Sequence, residues 1–155
     1  MKGLSSYPPI RIKQIYHCLP NEVWKAISEE SALRQWFFPV ENYRFQEGTE
    51  FSFWTGEDPY LTFHKCRFLF IEPLSTIEYS WELPNDSKGI SIVRWEISEE
   101  NGKTLLNFTH DGIAHLSDAK FRTDHEYFSK EWNHLILNAL NEYLYKNLAV
   151  IDVLY

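Results

Sequence analysis

In residues 117–147 the chain reads SDAKFRTDHEYFSKEWNHLILNALNEYLYKN, the longest stretch with a helical period in this sequence. An α-helix turns about 100° per residue, so side chains three or four positions apart lie on one face. Most side chains of one broad face are apolar, and the face comprises Phe121, His125, Phe128, Trp132, Ile136, Ala139 and Tyr143. We predict a long helix that begins at Ser117 or Asp118, ends at about Asn147 and needs a large apolar partner surface.

Residues 43–108 show the two-residue period of β-strands instead. The predicted strands are 41–46, 49–55, 60–72, 75–83, 89–98 and 103–110. Asn101-Gly102 between two alternating runs is a strong signal for a tight hairpin. Short turns join antiparallel neighbours, because a parallel crossover needs a dozen or more residues. An antiparallel sheet is therefore the expected partner of the long helix.

The N-terminal part predicts a strand at 10–18 and two short helices, the first with Asn21 as its N-cap or N-terminal residue and the second at 32–37. Trp24 and Trp36 on these helices should be buried at one end of the sheet. The sequence thus predicts one domain over residues 1–155, with its core at about 8–146. Its class is α+β: a curved antiparallel sheet of about six to seven strands wraps around a long C-terminal helix, with two short helices after the first strand.

Composition excludes several classes of protein. The net charge is −7 and the pI about 5.3, which argues against nucleic acid or an anionic membrane as the main partner. No apolar run approaches the length of a membrane span or a signal peptide. Cys18 and Cys66 are far apart and fit buried thiols in a reduced, cytoplasmic protein. Aromatic residues make up 17% of the chain, which requires a ring-rich core or a ring-lined cavity.

Sequence motifs for common reaction centres are absent. The histidines form no H-x-x-x-H or H-E-x-x-H pattern, and glycine occurs in no phosphate-binding loop. No serine lies in a G-x-S-x-G turn. We therefore predict no metal, no cofactor and no catalytic residue.

His125 is the one polar titratable group on the apolar face of the long helix, and Arg122 lies beside it. A histidine in this position is either a satisfied core or rim residue, or a contact for an acidic or hydroxyl-bearing ligand head. The predicted strand 60–72 places Lys65 and Arg67 on one face and His64 and Cys66 on the other, and the period does not tell which face is inside. Glu78 and Glu96 on their strands are interpreted as outward-facing.

Six segments in this order resemble one known family. Residues 10–26, IRIKQIYHCLPNEVWKA, resemble its opening strand followed by Pro-x-x-Val-Trp-x-Ala. Residues 33–39, LRQWFFP, resemble its Leu-x-x-Trp-(Trp/Phe)-x-Pro. Residues 48–53, GTEFSF, are similar to its Gly-Gly-x-Phe-x-Phe, with Thr49 in place of the second glycine.

Residues 71–81, IEPLSTIEYSW, resemble the family's next pair of strands, and residues 102–112, GKTLLNFTHDG, its last hairpin strand. Trp132 lies where the family carries Gly-Trp, with Glu131 at the glycine position. The family is that of the activator of heat-shock protein 90 ATPase homologue, within the START-like (SRPBCC, Bet v 1-type) superfamily. The resemblance implies a helix-grip fold, a scaffold shared by lipid carriers, cyclases and co-chaperone domains.

Three functions follow as hypotheses. The first is non-catalytic binding of a small hydrophobic or lipid-like molecule between the sheet and the helix. Its contact residues would be Phe121, Arg122, His125, Phe128, Trp132, Ile136 and Ala139. The second is a co-chaperone-like module that binds a chaperone or another protein, and the third a cyclase- or hydrolase-like enzyme. The apolar residues 148–155 should pack either on their own domain, as a strand added to an open sheet edge, or on the tail of a second subunit, which leaves a monomer or a homodimer.

Overall fold

The computed structural model of the protein describes the backbone of residues 8–116 and 125–154, and the side chains of 8–116 and 125–147. In chain order the elements are β1 (Ile10–Tyr16), α1 (Pro20–Ser28), α2 (Glu30–Trp36), β2 (Glu50–Thr55), β3 (Thr62–Glu72), β4 (Thr76–Glu82), β5 (Ile90–Glu100), β6 (Lys103–Asp111), a 3₁₀ turn (Ile113–Leu116), α3 (His125–Asn133), a π-helical segment (His134–Ala139) and α4 (Leu140–Leu154). The last three are consecutive and together form the C-terminal helix.

The strands form one curved antiparallel sheet in the order β1-β6-β5-β4-β3-β2, which confirms the predicted α+β class. Asn101 and Gly102 turn the chain between β5 and β6 with φ of 54° and 77°, as the hairpin signal predicts. Strand β3 carries an irregular register between Phe68 and Phe70, the bulge that bends a strand of this length. Within the described residues, no helix is long and apolar enough to cross a membrane.

The strand predicted at 41–46 is wrong. Only Glu41 pairs with Ser52, in an isolated bridge. Asn42 then adopts a φ of 56°, which turns the backbone away from the sheet. The alternation of Tyr43 and Phe45 has a different cause. Both residues lie in an irregular loop, and their rings pack on Phe68 at centroid distances of 5.8 and 5.3 Å.

The short helices cover one end of the sheet, as predicted. Trp36 is buried, and its Nε1–H donates to the Ala26 carbonyl at 2.8 Å. The prediction that Trp24 is also buried is wrong, because Trp24 is only half-buried and packs edge-on against Phe45 at the margin of the core. Helix α1 begins at Pro20, so Asn21 is its second residue and not its cap.

The π-helical segment changes which residues of the C-terminal helix face the sheet. The Leu140 N–H bonds to the Leu135 carbonyl, five residues back, and the Ile136 carbonyl accepts a hydrogen bond from the Tyr16 hydroxyl at 2.7 Å. The wider turn advances the apolar face by one residue. As a result, Leu140 and Leu144 are buried where a regular helix would place Ala139 and Tyr143, and the latter two are half-buried.

The predicted start of the long helix at Ser117 or Asp118 lies outside the described residues. At the other end the helix continues beyond the predicted Asn147 to Leu154. The backbone of residues 148–154 is therefore helical, which rules out the added sheet strand that an apolar tail could also have formed.

Candidate functional site

A narrow cleft lies between the C-terminal helix and the β2 end of the sheet. It is lined by Phe38, Thr55, His64, Trp81, Tyr127, Phe128, Glu131, Trp132 and Leu135. Its free volume, taken as the space open to the centre of a water molecule, is about 10 Å³. This is room for roughly one water molecule. The side chains around the cleft therefore leave it almost no free space. Its opening to solvent, called the mouth below, lies at the half-buried Phe38, Tyr127 and Glu131.

His64 forms the polar floor of this cleft. Strand β3 turns Thr62, His64, Cys66 and Phe68 inward, so Lys65 and Arg67 face outward. The Trp81 Nε1–H donates to His64 Nδ1 at 3.1 Å, so the ring proton resides on Nε2. That Nε2–H donates to Thr55 Oγ1 at 2.7 Å, and the Thr55 hydroxyl also bonds to the Tyr127 hydroxyl.

Burial keeps His64 neutral by lowering its pKa to about 3. The imidazole also belongs to a column of parallel rings. Phe53 stacks on His64 at 4.8 Å with an interplanar angle of 9°, and Phe38 stacks on the Phe53 ring at 4.6 Å and 6°. The outermost ring of the column, Phe38, closes the cleft.

A second buried histidine, His110, lies deeper under the helix. Its Nδ1 accepts a hydrogen bond from Trp132 Nε1–H at 2.9 Å. Its Nε2–H then donates to Ser91 Oγ at 2.8 Å, and the Ser91 hydroxyl donates to the Trp81 carbonyl at 3.2 Å. Burial, with a smaller contribution from the charge of His125, lowers the pKa of His110 to about 3.

Ser91 Oγ and His110 Nε2 are as close as a catalytic serine and its histidine base, but the direction of their hydrogen bond is different. In a nucleophilic pair the histidine must accept the proton of the hydroxyl group. Here the tautomer set by Trp132 makes His110 the donor, and both residues are fully buried. Among the described residues, no cluster of histidine, cysteine and acidic side chains could hold a metal ion.

The structure brings together only part of the predicted contact set. Phe128 and Trp132 line the cleft. Ile136 is fully buried below it, while the half-buried Ala139 does not reach the lining. His125 donates from Nε2 to the Pro8 carbonyl at 3.1 Å and is not in the lining. Phe121 and Arg122 lie outside the described residues.

Sequence reasoning missed most of the remaining lining residues. The sequence left open which face of this alternating strand is inside, and the inward position of His64 was one of the two possibilities. Leu135 reaches the cleft from the π-helical segment, which has no reliable sequence signal. The interpretation of Glu78 and Glu96 is confirmed, because both bind Arg94 at 2.9 Å on the outer face of the sheet.

A wider groove runs between the end of β1 and α4, with about 420 Å³ of space by the same measure. Its lining includes His17, Asn141, Glu142 and Tyr145, all of them exposed. The thiol of Cys18 faces it, and burial together with the charge of Glu22 raises the pKa of that thiol to about 11. A mainly exposed lining and an unreactive thiol make this groove the weaker candidate.

Two kinds of comparison with known proteins support the fold, one with a family model and one with solved structures. Residues 17–145 match the model of the family described as activator of Hsp90 ATPase homolog 1-like protein. CalU16 from Micromonospora echinospora superposes with a TM-score of 0.68 at 22% identity, over 92% of this chain and 80% of that one. MLL2253 from Mesorhizobium loti superposes with a TM-score of 0.71 at 14% identity, over 90% and 98%.

BH1534 from Bacillus halodurans is similar to a comparable degree, with a TM-score of 0.69 at 19% identity over 89% of this chain and 97% of that one. At such identities the superpositions show a shared fold. A search of curated proteins finds no match. The family match, in contrast, extends over most of the chain and agrees with the observed START-like fold. The protein therefore belongs to the activator of Hsp90 ATPase homolog 1-like family.

Proposed function

We propose that this protein binds a small, planar, largely apolar molecule in the cleft between the C-terminal helix and the sheet, without catalysing a reaction. The observation that carries the proposal is the composition of the lining. Aromatic rings surround the cleft, His64 and Thr55 form its polar floor, and the Tyr127 hydroxyl bonds to Thr55 from the side of the mouth. Apolar walls with a small number of oriented polar groups are typical of ligand sites in proteins.

Ligand entry requires Phe38 to move, because the closed cleft has room for only about one water molecule. Phe38 is half-buried at the mouth, where it contacts Phe53 and Phe37 at centroid distances of 4.6 Å each. A planar ligand that replaced its ring would recover the parallel stack on Phe53. Phe38 thus serves as an aromatic lid in this proposal.

Removing the lid should strengthen binding. With 2-naphthol as the probe, we expect about one site per chain and a roughly 3- to 10-fold lower Kd in Phe38→Ala. The reason is that displacing the Phe38 ring from its two aromatic contacts costs about 0.7–1.4 kcal/mol in the wild type. The measurement is a titration followed by the indole N–H signals of Trp81 and Trp132 in ¹H–¹⁵N spectra.

Phe45→Ala is the matched control for this experiment. Phe45 is also a half-buried loop phenylalanine, but it packs on Trp24 and Phe68, away from the cleft. Its removal should leave the Kd for 2-naphthol unchanged. If neither the wild type nor Phe38→Ala showed shifts of the two indole signals, the ligand proposal would fail.

An enzymatic role for His64 is the weaker reading. A general base needs a pKa near the working pH. The pKa of His64 is lowered to about 3, and both of its ring nitrogens are engaged, with Trp81 and Thr55. A side chain in this state orients a ligand better than it transfers protons.

Protein binding is the second candidate, and two observations favour it. The cleft is closed, and an apolar patch is exposed on the β2–β3 hairpin. There Trp54 is 45% exposed and contacts Phe63 at a centroid distance of 4.9 Å, with Tyr60 and Leu61 also exposed. A partner protein, such as a chaperone, could cover these residues. If 2-naphthol bound neither to the wild type nor to Phe38→Ala, protein binding would become the better-supported function.

The last residues, 148–155, are nearly all apolar, with Asp152 as their only charge. We propose that they pack on their own domain and not on a second subunit. Deleting them should then leave a monomer that melts roughly 4–8 °C lower, the equivalent of about 2 kcal/mol for a chain of this length. Light scattering and thermal unfolding measure the two quantities. A dimer that becomes a monomer on deletion would instead show that the segment joins two subunits.

A further inference from the structure

The only formal charge among the described residues of the cleft lining is negative. Glu131 is its single charged residue, and its lining includes no lysine or arginine among the described residues. Glu131 is half-buried, and no ion pair joins it to a described residue. Its charge acts on the lining itself, because it adds to the effect of burial in raising the pKa of Tyr127.

The uncharged groups of the lining also favour a cationic ligand over an anionic one. The lining is rich in aromatic rings, and the face of such a ring carries a negative quadrupole that attracts cations. The polar atoms on the floor belong to hydroxyl groups and to the neutral imidazole of His64. An anionic ligand would therefore lose its water without meeting a positive partner, and it would lie near a carboxylate.

We propose that the cleft selects planar ligands that are neutral or cationic and carry a hydroxyl or amino group, and that it discriminates against carboxylates such as fatty acids. This inference rests on the proposed function and specifies the ligand class of the same site. Glu131 at the mouth is the residue that sets the preference, and the hydroxyl groups of Thr55 and Tyr127 supply hydrogen-bond partners for the polar group of the ligand.

The test compares three naphthalenes of the same shape at pH 7: 2-naphthol, 2-naphthylmethylammonium and 2-naphthoate. Titrations follow the indole N–H signals of Trp81 and Trp132 in the wild type and in Phe38→Ala. We expect 2-naphthoate to bind at least about tenfold more weakly than 2-naphthol, with the ammonium probe as tight as 2-naphthol or tighter. Glu131→Gln should reduce the penalty on 2-naphthoate several-fold and leave the Kd of 2-naphthol within about twofold.

Glu142→Gln is the control, because it makes the same change of net charge at an exposed position on the C-terminal helix. It should leave all three Kd values unchanged. If 2-naphthoate bound at this cleft as tightly as 2-naphthol, or if Glu131→Gln and Glu142→Gln had equal effects, the charge selection would be wrong while ligand binding stood. If no probe shifted the indole signals in either background, both proposals would fall.

Discussion

Replacing Trp132 with alanine is expected to lower the free energy of unfolding by about 3–5 kcal/mol. The side chain is 1% exposed and lies at the centre of the aromatic core, 4.4 Å from the Phe108 ring and 5.5 Å from that of Trp81. Its removal also leaves His110 Nδ1 without a donor in a dry interior. Because small domains are stable by only about 5–15 kcal/mol, this loss is a large part of the total.

Urea unfolding followed by far-UV circular dichroism measures the effect. Trp54→Ala is the matched control, since Trp54 is 45% exposed on the outer face, and it should cost about 1 kcal/mol or less. Trp132→Phe retains a ring but lacks the N–H, so it isolates the hydrogen bond to His110. Equal losses in Trp132→Ala and Trp54→Ala would contradict the packing described for the helix.

Acidification is the second change with a large expected effect. His64 and His110 are both held neutral in the folded protein, with pKa values of about 3, whereas an unfolded histidine has a pKa of about 6.5. Their neutral state is fully stabilising above the unfolded value, and stability falls as the pH drops from about 6.5 toward 3. Over that range the unfolded chain binds about two more protons than the folded one. The expected slope is about 2.7 kcal/mol per pH unit once the pH is well below 6.5.

Urea unfolding at pH 7, 6 and 5 measures this slope before most carboxylates begin to titrate. In His64→Gln the amide can still accept from Trp81 and donate to Thr55, so we expect a folded protein with about half the slope. His17→Gln, at an exposed position, should leave the slope unchanged. A wild-type slope below about 1.4 kcal/mol per pH unit, less than one proton, would mean that at least one of the two histidines is not held neutral.

The pattern of the sequence was sufficient for the elements whose signals are local. The alternation along residues 103–110 predicts β6, and Asn101-Gly102 predicts the hairpin before it, because few other residues accept the positive φ of that turn. The helical period around Phe128 and Trp132 likewise identifies the face that packs on the sheet. In these elements the local preference and the tertiary contacts agree.

The loop at 41–46 shows where a local period misleads. Alternating Tyr43 and Phe45 suggest a strand, yet Asn42 turns the backbone away and the two rings reach the core from a loop. A two-residue period in the sequence indicates only which side chains are buried. Whether the backbone between them also pairs depends on neighbours that are distant in the sequence.

Apart from the strand wrongly predicted at 41–46, the sequence by itself determined the order of elements, the antiparallel sheet and the core positions of Trp36, Phe128 and Trp132. Tertiary structure alone decided that His64 faces inward and that the apolar face moves from Ala139 to Leu140 at the π-helical segment. The physical reason is the range of the interactions. A period and a turn depend on adjacent residues. The inward face of β3 and the wider helical turn depend on partners such as Trp81 and Tyr16, which are 17 and 120 residues away from His64 and Ile136 in the sequence.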